Sequence, residues 1–168
     1  MTEPAPRPDK AGASSYDGDF YAWTQEQARH LRELAATLRS RRDPLGRRID
    51  FENIAEEVES LGKSDRRALE GRLNVLLVYL LKWAYQPEQR STSWRRSIVE
   101  QRRRILRILA DSPSLSSYPE EVVPEEYCLA RLAADETGLA EDAFPAVCPF
   151  TVEQILDPDW LPPAAGAA

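Results

Sequence analysis

Apolar residues recur along this chain at steps of three and four, the pattern of helices that bury one face. Phe20, Trp23, Gln27, Leu31, Leu34 and Leu38 place one such stripe on a helix ending near Ser40, with Arg29, Arg32 and Glu33 outside it. Residues 41–48 contain the breakers Pro44 and Gly46 and read as a connection. Asp50 then suits the N-cap of a helix from Phe51 to Leu61, because its carboxylate can accept from the unpaired N–H groups of a first turn. In that helix Phe51, Ile54, Val58 and Leu61 are expected inward, and Gly62 is the expected stop.

The pattern is strongest from Ser64 to Leu109. Ser64 is the expected cap of a third helix, Asp65 adds negative charge where the helix dipole favours it, and Pro87 sets its length. Leu69, Leu73, Leu76, Leu80 and Trp83 form one stripe and Val75, Val78, Leu81 and Tyr85 a second, so this helix is predicted at the centre. After a turn at 86–92, Thr92 or Ser93 caps a helix that turns Trp94, Ile98, Ile105 and Leu109 to the core, with Val99 and Leu106 beside them. The short link makes the two an antiparallel hairpin.

Beyond Pro113 the pattern weakens. Pro119 and Pro124 interrupt it before a helix from about Glu125 to Thr137, ended by Gly138, with Tyr127, Leu129, Leu132 and Ala133 as its buried positions. The stretch 144–162 carries apolar anchors between prolines, with a short helix at Thr151 to Leu156, and reads as a strap laid over the bundle. No segment alternates apolar and polar residues as a half-buried strand does. The predicted fold is therefore all-α: a helical bundle built on a long antiparallel central hairpin, with a Pro-rich C-terminal strap.

A chain of 168 residues, 42% of them hydrophobic, suits one domain. The expected plan is a disordered N-terminal arm at 1–15, a single helical domain at 16–162 and a disordered tail at 163–168. The longest apolar run, Val75 to Leu81, is far short of the roughly 20 residues that span a bilayer, and Met1 to Lys10 lacks the basic start and apolar stretch of a secretory signal. A cytoplasmic protein with no membrane partner is expected. Cys128 and Cys148 show no metal-site or disulfide spacing and read as reduced, partly buried thiols.

The net charge of −6 hides a division. Residues 1–110 hold 21 of the 22 Lys and Arg against 16 of the 28 acids, a balance of +5; residues 111–168 hold Arg131 alone against 12 acids, a balance of −11. Such asymmetry fits either nucleic-acid binding by the basic part or an acidic end that folds back and neutralises it. The second is favoured, because an attached acidic segment weakens the field that would steer a polyanion inward.

The strings Tyr16-Asp-Gly-Asp-Phe-Tyr-Ala-Trp-Thr-Gln25, Ile49-Asp-Phe-Glu-Asn-Ile-Ala-Glu-Glu-Val-Glu-Ser-Leu-Gly62, Leu80-Leu-Lys-Trp83, Ser93-Trp94-Arg95 and Cys148-Pro-Phe-Thr-Val-Glu-Gln-Ile-Leu-Asp-Pro-Asp159 occur in this order. In them the chain closely resembles, over roughly residues 16–162, the bacterial family called domain of unknown function 29. The resemblance implies an all-helical fold and a bacterial setting, often cyanobacterial or proteobacterial. It implies no activity, and there are no catalytic residues to carry over.

The candidate chemistry lies in two charged faces. Glu52, Glu56 and Glu59 share a helical face on which carboxylates can converge on a divalent cation or act as acid and base; the plainer reading is an exposed face or one paired with arginines. With His30 the only histidine, a Glu-x-x-His di-iron bundle is closed off, and no catalytic triad or phosphate loop can be assembled. Arg95, Arg96, Arg102, Arg103, Arg104 and Arg107 crowd one helix, and Arg96, Arg103 and Arg107 can form a patch with Arg66, Arg67 and Arg72 of the preceding helix. Guanidinium groups match phosphate oxygens, and Trp94 or Tyr85 at the edge could stack a base. The competing reading is internal: Glu100 pairs with Arg104, and Glu120, Glu121, Glu125 and Glu126 cover the rest. Trp83, Tyr85 and Trp94 are expected to meet as a corner at the hairpin turn. Without a catalytic motif or an expected cofactor, a protein-interaction or accessory module with an unidentified protein partner ranks first. A nucleic-acid-associated module ranks second and a metal-dependent enzyme third.

Overall fold

The computed structural model describes residues 15–135 and 143–165, which contain six α-helices and no strand. The expected stop at Gly138 and most of the two terminal segments lie outside these residues. The fold is all-α, as the periodicity predicts. The chain divides into two compact units, one up to Gly62 and one from Lys63 onward.

In the first unit, α1 (Phe20–Ser40) starts at Asp19, whose carboxylate accepts from the Ala22 N–H at 2.9 Å. It ends in a Schellman motif: the Asp43 N–H donates to the Leu38 carbonyl at 3.0 Å and the Arg42 N–H to that of Arg39 at 3.1 Å. The left-handed residue that closes this motif is commonly glycine; here it is Arg42, at φ 51°. The connection then holds a short helix, α2 (Leu45–Arg48).

The large apolar residues expected to form the buried seam of α1 do not form it. Thr24, Ala28 and Ala35 are buried, whereas Phe20, Trp23, Leu31 and Leu38 are half-buried and Leu34 is exposed. The expectation holds only in part at the start of α3 (Phe51–Tyr85), which Asp50 caps as predicted, accepting from the Asn53 N–H at 3.2 Å. Phe51 and Ala55 are buried there, and Ile54 and Leu61, predicted inward, are exposed. Gly62 does not stop the helix, and Ser64 lies inside it rather than at a cap. A Cβ at Gly62 would collide with Thr24 Oγ1 and stand 3.1 Å from Gln25 Nε2 and 3.2 Å from Tyr21 Cδ2. The glycine is there for close approach to α1, and the seam is built of small residues for the same reason.

In the second unit, the remainder of α3 buries Leu69, Leu73, Leu76, Leu77, Leu80, Leu81 and Ala84. Each fully buried leucine contributes about 1.5–3 kcal/mol. The first predicted stripe holds through Leu80, but Val75 of the second is exposed and Leu77 takes an inward place instead. After a turn at Pro87–Gln89, α4 (Thr92–Asp111) is capped by Ser91, one residue before the expected caps, which accepts from the Trp94 N–H at 3.3 Å. Arg72 reaches Gln101 at 3.4 Å, while Lys82 lies over the Trp94 ring, so partners descend α4 as they ascend α3 and the pair is antiparallel.

A turn at Pro113–Leu115 leads to α5 (Tyr118–Asp135), which begins seven residues earlier than expected and absorbs both prolines. Pro119 sits in the first turn, where an N–H has no intrahelical partner; Pro124 forgoes a bond to Glu120, which is exposed to water. Its buried face is Tyr118, Val123, Tyr127, Ala130 and Ala134, not the predicted Leu129 and Leu132, which are exposed. This helix lies along α3: the Tyr118 hydroxyl donates to the Glu70 carboxylate, and Asn74 Nδ2 donates to the Glu126 carbonyl at 3.3 Å.

The strap follows as predicted. Phe144 is buried edge-on to Tyr85 at 5.1 Å, and the Tyr127 hydroxyl donates to the Pro145 carbonyl at 2.8 Å. Thr151 and Gln154 form a capping box for α6 (Val152–Leu156), whose Ile155 is fully buried. Ala165 donates its N–H to the Ala84 carbonyl at 2.8 Å.

Candidate binding cleft on the arginine helix

The arginines of α4 separate into two populations. Arg102 falls between Ile98 and Ile105 on the buried seam and is 1% exposed. Its Nε donates to the Ile155 carbonyl at 2.7 Å, Nη1 to that of Trp160 at 2.7 Å and Nη2 to that of Gln154 at 3.2 Å. Three carbonyls of the strap thus converge on one guanidinium, whose planar fork of donors suits the task. Burial depresses its pKa, and the nearby Asp157 carboxylate acts in the opposite direction.

Arg96, Arg103 and Arg107 project from the other side of α4, all exposed. With Arg72 of α3 and Arg104 they wall an open cleft of about 610 Å³, floored by Val99 and Ile108. One carboxylate lies in it: Glu100, which pairs with Arg104 at 2.7 Å, as its i, i+4 spacing predicts. Among the described residues no carboxylate pairs with Arg96, Arg103 or Arg107. The expectation that Glu120, Glu121, Glu125 and Glu126 cover these arginines is not met. Their helix lies along α3, where Glu120, Glu121 and Glu125 face solvent and burial raises the pKa of the partly covered Glu126. The acidic end does return to the arginine helix, but through backbone carbonyls on Arg102.

The two aromatics proposed with the patch do not line the cleft. Trp94 carries Lys82 Nζ at 4.6 Å from its ring centroid, and Tyr85 is engaged with Phe144. The expected corner is correspondingly different: Arg90 lies over the Trp83 ring at 5.2 Å and donates from Nε to the Trp83 carbonyl at 2.9 Å, so a cation rather than the other tryptophan faces each ring. On the acidic face, Glu52 pairs with Arg39 at 3.0 Å and Glu59 with Arg32 at 2.6 Å, while Glu56 is exposed. The carboxylates of Glu52 and Glu59 therefore turn toward arginines of α1. Among the described residues no group of three or more His, Cys, Asp and Glu is placed to hold a metal ion. His30 is exposed between Glu26 and Glu33. Cys128 is exposed rather than partly buried, and Cys148 is half-buried, its thiol pushed up by burial and bonded weakly to the Phe150 carbonyl.

Two features of the site escaped the periodicity. Counting Arg102 among the arginines that crowd one helix gives it no separate role, although its position four residues after Ile98 and three before Ile105 places it on the apolar seam. Val99, assigned beside the core, is instead 50% exposed in the cleft.

No helix among the described residues is long and apolar enough to cross a membrane. No curated protein matches the chain. Its fold is similar to the crystal structure of an alpha-helical protein of unknown function from Rhodospirillum rubrum, with a TM-score of 0.69 and 27% sequence identity over 88% of this chain and 92% of that one. Residues 15–161 match the family described as "Domain of unknown function DUF29", and the chain belongs to that family.

Proposed function

We propose that this protein is an interaction module whose α3–α4 cleft accepts an acidic, apolar-studded segment of a partner protein. The observation that carries this reading is the wall of Arg72, Arg96, Arg103 and Arg107 around an exposed Val99, with three of those guanidiniums lacking any carboxylate partner among the described residues. Guanidiniums bind carboxylates in a bidentate fork, and an apolar floor rewards a ligand that brings a side chain as well as charge. A nucleic acid would exploit the same charges but would find no stacking ring among the lining residues. The net charge of −6 also disfavours a long polyanion.

Fluorescence anisotropy with a labelled Glu- and Leu-containing peptide, beside a single-stranded oligonucleotide of equal charge, tests the reading. The peptide should bind in a salt-dependent way, and the combined Arg96→Ala, Arg103→Ala and Arg107→Ala variant should bind it about tenfold or more weakly. Tighter binding of the oligonucleotide, or a triple variant that binds the peptide as the parent does, would count against it.

A further inference from the structure

Resting on that reading of the cleft, we propose that the acidic segment it accepts is the start of α3, residues 50–61, of a second copy of this chain. That stretch has a face whose apolar side chains stay partly open to solvent. Ile54 is 43% exposed and Leu61 54%, with half-buried Val58 between them, and Asp50, Asn53 and Glu57 flank the shallow groove they form. Glu57 is exposed and, unlike Glu52 and Glu59, pairs with no arginine among the described residues.

The complement lies on α4. Val99 and Leu106 are 50% and 41% exposed, and Arg96 and Arg103 run beside them. The spacings agree: Ile54 and Leu61, Asp50 and Glu57, Val99 and Leu106, and Arg96 and Arg103 are all pairs seven residues apart. Two turns of helix separate the members of each pair, so an apolar stripe edged by acids meets an apolar stripe edged by arginines in register over two repeats. The lengths agree as well, since 50 to 61 and 96 to 107 each span about 16 Å of helix. Carboxylates on one stripe and guanidiniums on the other favour this pairing over either stripe meeting its own kind.

Because the two stripes are different surfaces of one chain, the contact is head-to-tail, and each added copy presents a fresh stripe and a fresh cleft until a ring closes. The interface is small and charged, so association should be reversible, concentration-dependent and weakened by salt.

Size-exclusion chromatography with light scattering on the full chain provides the test. At about 200 µM protein and about 50 mM salt, where surface charges are screened least, the parent should exceed the mass of one chain. Arg103→Glu removes the cleft and Leu61→Asp removes the stripe; both positions are exposed, so both variants should fold, and each alone should run as a single chain. Mixed in equal amounts they should form a species of two chains and nothing larger. The intact stripe of the first fits the intact cleft of the second, and the two altered faces repel. A parent that stays a single chain, variants that associate as the parent does, or a mixture that does not pair would overturn the proposal. If the parent remains a single chain but the acidic peptide binds, the self-association fails and the cleft reading stands; if neither occurs, both fall.

Discussion

Arg102 brings a positive charge into a site only 1% exposed and meets backbone carbonyls there instead of a carboxylate in direct contact. Removing it leaves the carbonyls of Gln154, Ile155 and Trp160 without their donor, and hydrogen bonds to a charged group are worth roughly 1.5–3 kcal/mol each. Arg102→Met should therefore lower the unfolding free energy by about 3 kcal/mol or more and the melting temperature by roughly 6–12 °C. Arg103→Met, next in sequence but exposed, should stay within about 0.5 kcal/mol of the parent. Thermal and urea unfolding of the two variants check this, and equal effects at both positions would contradict the assignment. The distinction was legible in spacing, because Ile98, Arg102 and Ile105 lie on one face. Reading by residue type obscured it: an arginine among arginines looks like surface until the geometry of its neighbours is followed.

At the scale of elements, α3 separates what pattern reveals from what it hides. Leu69, Leu73, Leu76 and Leu80 hold a helical period with large side chains, and that core was legible. Elsewhere much of the buried surface is small: Ala28 and Ala35 with Thr24 in α1, Ala55 beside Phe51 in α3, and Ala130 with Ala134 beside Tyr127 in α5. Small side chains contribute little to a hydrophobic pattern, so the exposed Ile54, Leu61, Leu129 and Leu132 drew the expected face away from the true one. The role of Gly62 followed from the same blindness, since a stop and a close approach look alike in sequence. Two substitutions in this helix separate them. A Cβ at Gly71 meets nothing within 4 Å, so Gly71→Ala should stabilise by the intrinsic propensity difference of about 1 kcal/mol. Gly62→Ala gains the same propensity but drives a methyl group into Thr24, so it should destabilise despite lying in the same helix. Chemical denaturation of the two variants measures both signs, and stabilisation by both would remove the packing role of Gly62.

For the whole molecule, the charge division from +5 to −11 favoured an acidic end that folds back and neutralises the arginines; that end does reach the arginine helix, at Arg102, but not with carboxylates. How it returns was not legible, because the contact uses main-chain oxygens that every residue carries and no composition reveals. The consequence is that α4 is divided lengthwise: its inner arginine ties down the strap, and its outer arginines wall a cleft that no described carboxylate of the acidic end enters. The candidate residues Arg96, Arg103 and Arg107 could be named from their shared face, whereas the apolar floor and the displacement of Trp94 and Tyr85 required the packing. The most direct test of this division is the reaction of the intact protein with phenylglyoxal, an arginine-selective reagent, followed by peptide mass mapping. Arg96, Arg103 and Arg107 should be modified rapidly, and Arg102 should remain protected until the protein unfolds. Protection of Arg103 and Arg107 comparable to that of Arg102, or early modification of Arg102, would contradict the account.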